Sequence, residues 1–93
     1  MSSKTTFSCG NSLDITHVSA LYHRLERSLQ KSNVIELKAE GVEKVDTAGL
    51  QLMISVKNEV EASSGSIRWK KPSEKLINAA KSLGLLNHLG LAE

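Results

Sequence analysis

From Val34 to Leu50 the chain reads Val-Ile-Glu-Leu-Lys-Ala-Glu-Gly-Val-Glu-Lys-Val-Asp-Thr-Ala-Gly-Leu. Its first six residues alternate: Ile35, Leu37 and Ala39 fall on one side of an extended chain, Glu36 and Lys38 on the other. That is the pattern of a strand with one buried face. After a short link through Gly41, Asp46 is a preferred helix N-cap, and the stretch from Thr47 to about Ala62 carries Leu50, Leu52, Met53, Ile54, Val56 and Val60 at helical spacing. The first half of this helix is apolar nearly all round, which predicts deep packing. A half-buried strand that feeds a capped, buried helix is the unit of an α/β fold.

Reading outward, the same alternation of elements continues. Upstream, Phe7 and Cys9 alternate with polar residues as in a short strand, which Leu13 and Ile15 are expected to extend after a turn at Gly10-Asn11. Val18, Leu21, Tyr22, Leu25 and Leu29 then predict a helix from about Thr16 to Gln30, with Thr16 as its cap and His17, Arg24, Arg27 and Lys31 on the outer side. Downstream, Gly65 suits a left-handed helix stop, Ile67 and Trp69 alternate inward as a third strand, and Ser73 caps a helix with Leu76, Ile77, Ala80 and Leu83 that stops at Gly84. Leu85, Leu86, Leu89 and Leu91 form an apolar tail expected to fold back on the core. The order β-α-β-α-β-α with short links implies right-handed crossovers. The expected fold is therefore one small α/β domain over residues 1–93, with a mainly parallel or mixed sheet of about four strands. The polar sides of the second and third strands argue that helices do not cover both faces.

With 93 residues, 40% hydrophobic and 24% charged, the chain has the composition of a small globular domain with one core. No apolar run reaches the roughly 18 residues of a membrane helix, and the first residues lack the apolar stretch of a signal peptide, so a cytoplasmic protein without membrane insertion is expected. Cys9 is the only cysteine, which rules out an intramolecular disulfide. A net charge of +2 does not by itself indicate nucleic acid. Arg68, Lys70, Lys71 and Lys75 do cluster, yet no aromatic residues stand between these charges to stack bases. His17, His23 and His88 occur singly, so no metal site is expected. No glycine-rich dinucleotide fingerprint, phosphate loop or nucleophile elbow is present, and neither cofactor nor catalytic set is expected.

The stretch that asks for a functional explanation is Asp46-Thr47-Ala48-Gly49, where small and polar residues open an apolar helix just beyond a strand. Binding sites of open α/β sheets collect in such loops. Asp46 is placed to cap free N–H groups, the Thr47 hydroxyl to face solvent, and Gly49 to let another backbone approach. A purely structural role, with Ala48 and Gly49 small because a strand packs over them, competes on equal terms. A phosphoryl group on Thr47 would add about −1.5 to −2 charge beside Asp46, disturbing a docked partner more than the domain itself.

Leu13-Asp14-Ile15, Val34-Ile35-Glu36-Leu37, Val45-Asp46-Thr47-Ala48-Gly49-Leu50 and Gly84-Leu85-Leu86, in this order, resemble the STAS domain of bacterial anti-sigma-factor antagonists. The resemblance runs from about Thr5 to Leu91, and its most specific part is Asp46 to Leu50. It implies a non-enzymatic module that binds a protein partner, often an anti-sigma-type serine/threonine kinase. It also implies Thr47 as phosphoacceptor and Asp46, Thr47, Ala48, Gly49 and Gln51 as partner-binding residues. Two features depart from the pattern. The N-terminal portion is short, so the usual opening hairpin is expected to be reduced or its edge completed by a second chain, and a homodimer stays open. Threonine also replaces the commoner serine, which resembles instead the STAS subunit of the bacterial phospholipid-transport ABC complex, whose partner is the ATPase.

Overall fold

The computed structural model describes residues 4–91. In chain order it holds β1 (Thr5–Ser8), β2 (Ser12–Leu13), α1 (Val18–Lys31), β3 (Val34–Lys38), β4 (Lys44–Val45), α2 (Thr47–Ala62), β5 (Ser66–Lys70), α3 (Glu74–Ser82) and α4 (Leu86–Leu89). Three strands form a parallel sheet in the order β1-β3-β5, with Phe7 opposite Leu37 and Leu37 opposite Trp69. A second pair, β2 with β4, is also parallel and only two residues long, Ser12 opposite Lys44 and Leu13 opposite Val45. The α/β class, the parallel sheet and the alternation of elements are as the hydrophobic pattern required.

Helices α1 and α2 pack side by side on one face of the sheet, where Phe7, Ile35 and Leu37 are buried together with Leu21 and Leu25 of α1 and Met53, Val56 and Val60 of α2. Each fully buried Leu or Ile contributes about 1.5–3 kcal/mol, so this one layer is the main source of stability. On the other face Thr6, Ser8, Lys38, Arg68 and Lys70 are exposed, which is why the strands alternate instead of reading as continuous apolar runs. Helix α3 closes the end near β4: Ser73 Oγ accepts from the Leu76 N–H at 3.1 Å, the cap expected of it, and donates to the Val42 carbonyl at 2.6 Å. The leucine tail does fold back as α4, burying Leu89, whose carbonyl accepts from Trp69 Nε1 at 2.7 Å.

Four details differ from the sequence expectations. The first helix begins at Val18, and Thr16 does not cap it; the Thr16 hydroxyl donates to Asp14 Oδ1 at 2.8 Å, and His17 holds the cap position without a side-chain cap bond. Ile15 does not continue a buried strand but is 64% exposed, because the chain turns out of the β2–β4 pair after Leu13. The left-handed residue after α2 is Ser64, with φ 62°, and Gly65 is needed for another reason: a Cβ there would overlap the Asn33 carbonyl. Among the described residues the strands number five short segments in two sheets, since two-residue bridges such as β4 leave too few residues for a periodic signal.

Candidate functional site

Asp46 organises the start of α2. Its extended backbone ends β4, and its Oδ1 accepts from the Gly49 N–H at 2.9 Å, satisfying one of the free donors of the first helical turn. Its Oδ2 accepts from the Ile15 N–H, also at 2.9 Å, and its own N–H donates to the Leu13 carbonyl at 3.1 Å. Both carboxylate oxygens are thus committed inside the fold. They tie the helix start to a loop about thirty residues earlier in the chain.

Gly49 completes the junction. A Cβ at this position would overlap the Leu13 carbonyl and crowd the Asp14 N–H, so only glycine lets α2 approach β2 this closely. The backbone that approaches Gly49 belongs to this chain itself. Gly49 is buried, Ala48 is half-buried, and Thr47 and Gln51 are exposed. Four residues apart, Thr47 and Gln51 share one face of α2. Thr47 is the first helical residue, and its hydroxyl has no hydrogen-bond partner among the described residues.

The loop that meets Asp46 has its own network, which sequence reasoning missed. Asp14 Oδ1 accepts from Thr16 Oγ1 and lies 2.6 Å from His17 Nδ1, and the Asp14 carbonyl accepts from the His17 N–H. The hydrogen bonds from His17 and Thr16 hold the Asp14 carboxyl below its ordinary range. The signal was available: an Asp followed two residues later by Thr is a local turn-forming pair. Ile15 is exposed on this loop, and its N–H is bound to the Asp46 carboxylate, one residue before Thr47 in the chain. The expected set therefore divides by position. Asp46 and Gly49 shape the surface from within, whereas Thr47, Gln51 and part of Ala48 face outward, joined by an aliphatic residue not expected there.

This arrangement offers recognition groups rather than a bond-making set: a helix N-terminus, one free hydroxyl, one amide and one exposed aliphatic side chain. Burial pushes the Cys9 thiol up to about 12, so it stays protonated at neutral pH and is not a nucleophile. Among the described residues, no helix is long and apolar enough to cross a membrane, and no three His, Cys, Asp or Glu side chains converge as metal ligands would.

The architecture is thus a short parallel sheet with helices on one face and a glycine-locked, aspartate-capped helix start where β4 leads into α2. A family model described as "Mlab, STAS domain" matches residues 3–91, and the chain belongs to that family. Among solved structures it is similar to the unphosphorylated form of the anti-sigma factor antagonist SpoIIAA, with a TM-score of 0.69 and 19% identity, covering 91% of this chain and 76% of that one. At this identity the likeness is one of fold. A comparison with curated proteins found no match.

Proposed function

We propose that the whole chain, residues 1–93, is a non-enzymatic cytoplasmic module that docks a protein partner through the start of α2 and the loop before α1. In its leading form it is a regulator of the anti-sigma-factor-antagonist type. The partner is then an anti-sigma-type serine/threonine kinase, and phosphorylation of Thr47 releases it. The observation that carries this reading is Thr47 itself, a free hydroxyl on an exposed first helical residue whose neighbours Asp46 and Gly49 are locked in place. A phosphoryl group there would gain from the helix N-terminus but meet the Asp46 carboxylate, so the domain would tolerate it while a snug partner would not.

A specific observation favours a second reading, an accessory subunit bound constitutively to the ATPase of a phospholipid-transport ABC complex. Ile15, 64% exposed and bonded through its N–H to Asp46, is an aliphatic group that a standing interface would cover permanently. The two readings share one surface and differ in partner and control. Affinity capture from the native cytoplasm separates them: a kinase-like protein supports the first, an ABC ATPase the second. Incubating the captured complex with ATP labels Thr47 only under the first reading, and label that persists in Thr47→Ala removes this threonine from the mechanism. Thr47→Glu is expected to weaken capture by about tenfold or more under either reading. An intact complex in that variant would place the interface elsewhere.

A further inference from the structure

The outer edge of β1 is a second feature of the surface, on the flank of α1 away from α2. Among the described residues strand β1 pairs only with β3, and its hydrogen-bonding alternates. The Cys9 N–H donates to the Lys38 carbonyl at 2.9 Å, so Cys9 and, two residues back, Phe7 direct their main chain toward β3. Thr6 and Ser8 direct theirs outward. The Ser8 carbonyl accordingly accepts from Arg24 Nη2 at 3.0 Å, while the Thr6 main chain and the Ser8 N–H find no partner on that side among the described residues.

Above this edge runs a shallow groove of about 260 Å3, lined by Thr6, Ser8, Arg24, Arg27, Ser28 and Lys31 around the edge of Phe7. Three cations line it and no carboxylate does. Arg24 is fixed, lying 4.6 Å over the Phe7 ring as well as bonding Ser8. Arg27 and Lys31 are exposed and unpaired among the described residues. Spaced three and four residues apart, the three project from one face of α1 and span about 10 Å along it.

We propose that the β1 edge takes up an extended acidic segment of a protein partner as an added strand. Main-chain groups of the segment pair with the Thr6 main chain and the Ser8 N–H, and acidic side chains at alternate positions, about 7 Å apart, meet Arg24, Arg27 and Lys31. Charge decides between this occupant and a second copy of the chain. Two β1 edges paired about a two-fold axis would set one α1 beside the other and bring the three cations against their own counterparts, which opposes self-pairing. The edge is distinct from the docking surface at Thr47, so either site can fail without the other.

The probe is a blocked, fluorescein-labelled peptide of alternating glutamate and valine, titrated with the full chain and read by anisotropy. A second peptide of the same sequence carries N-methyl groups at alternate residues along one edge. Saturable binding of the first peptide is expected, with slowed amide exchange at Thr6 and Ser8, and a loss of about tenfold or more both for the N-methylated peptide and for Arg27→Glu/Lys31→Glu. Those two helix positions are exposed, so circular dichroism of the double variant is expected to match the parent. Equal binding of the N-methylated peptide would reduce the effect to charge attraction without strand pairing and overturn the proposal. Absence of saturable binding would overturn it too, as would a dimer in sedimentation whose protected Thr6 and Ser8 amides the peptide fails to release.

Discussion

The Leu13 carbonyl occupies the space where a side chain on Gly49 would begin, so the helix that carries Thr47 is seated directly on the backbone of β2. The position of the exposed threonine is therefore set by a main-chain contact. Gly49→Ala must push α2 away from Leu13 or break the Asp46 junction, at a cost of about 3 kcal/mol. Urea denaturation measures this directly. A loss below about 1 kcal/mol would mean that the junction yields easily and does not fix Thr47.

Asp46 holds the same junction by charge. Asp46→Ala removes both the cap on Gly49 and the acceptor for Ile15, with an expected cost of about 2 kcal/mol. Amide exchange should accelerate at Ile15 and Gly49 together in this variant. Acceleration at Gly49 alone would show that the bond across to the earlier loop adds nothing.

The Asp14 carboxyl gives the loop a pH response. Its folded value lies below the ordinary 3.8, chiefly through the hydrogen bonds from His17 and Thr16. Its stabilising contribution is then fully present above the unfolded value and lost as pH falls through the folded one. Asp14→Asn should lower the urea midpoint at neutral pH, and the gap between variant and parent should close as the pH drops below about 4. A gap that stays constant down to about pH 2 would remove Asp14 ionisation as the cause.

Trp69 is the chain's single tryptophan and donates to the carbonyl of Leu89, so its fluorescence reports on α4. Leu89→Ala empties a fully buried site and should cost about 3 kcal/mol. The Trp69 emission is expected to shift to the red as the tail detaches. An unchanged spectrum in a destabilised variant would separate tail docking from the indole bond.

Much of this was legible in the amino-acid sequence because it is periodic or local. The alternation of Ile35, Leu37 and Ala39, the spacing of Leu21 and Leu25, and the caps at Asp46 and Ser73 each need only a few neighbouring residues to be read. What escaped reading depends on partners distant along the chain. That Gly49 is small is plain from the sequence; that Leu13 is the reason is not. Asp46 declares one of its oxygens through helix capping, while the other is explained only by Ile15. Ile15 itself, an apolar residue next to a short strand, reads as core, and only the turn after Leu13 turns it outward.

The all-parallel pairing has a consequence for how the chain comes together. Thr5 meets Ile35, Ser12 meets Lys44 and Val34 meets Ser66, so every strand contact among the described residues closes a loop of about thirty residues and none of these can begin as a hairpin. Helical turns can form while those loops are still open, but the sheet has no local nucleus and must await encounters between distant segments. A nascent chain that ends at Lys31 already contains β1, β2 and α1, yet neither strand has its native neighbour.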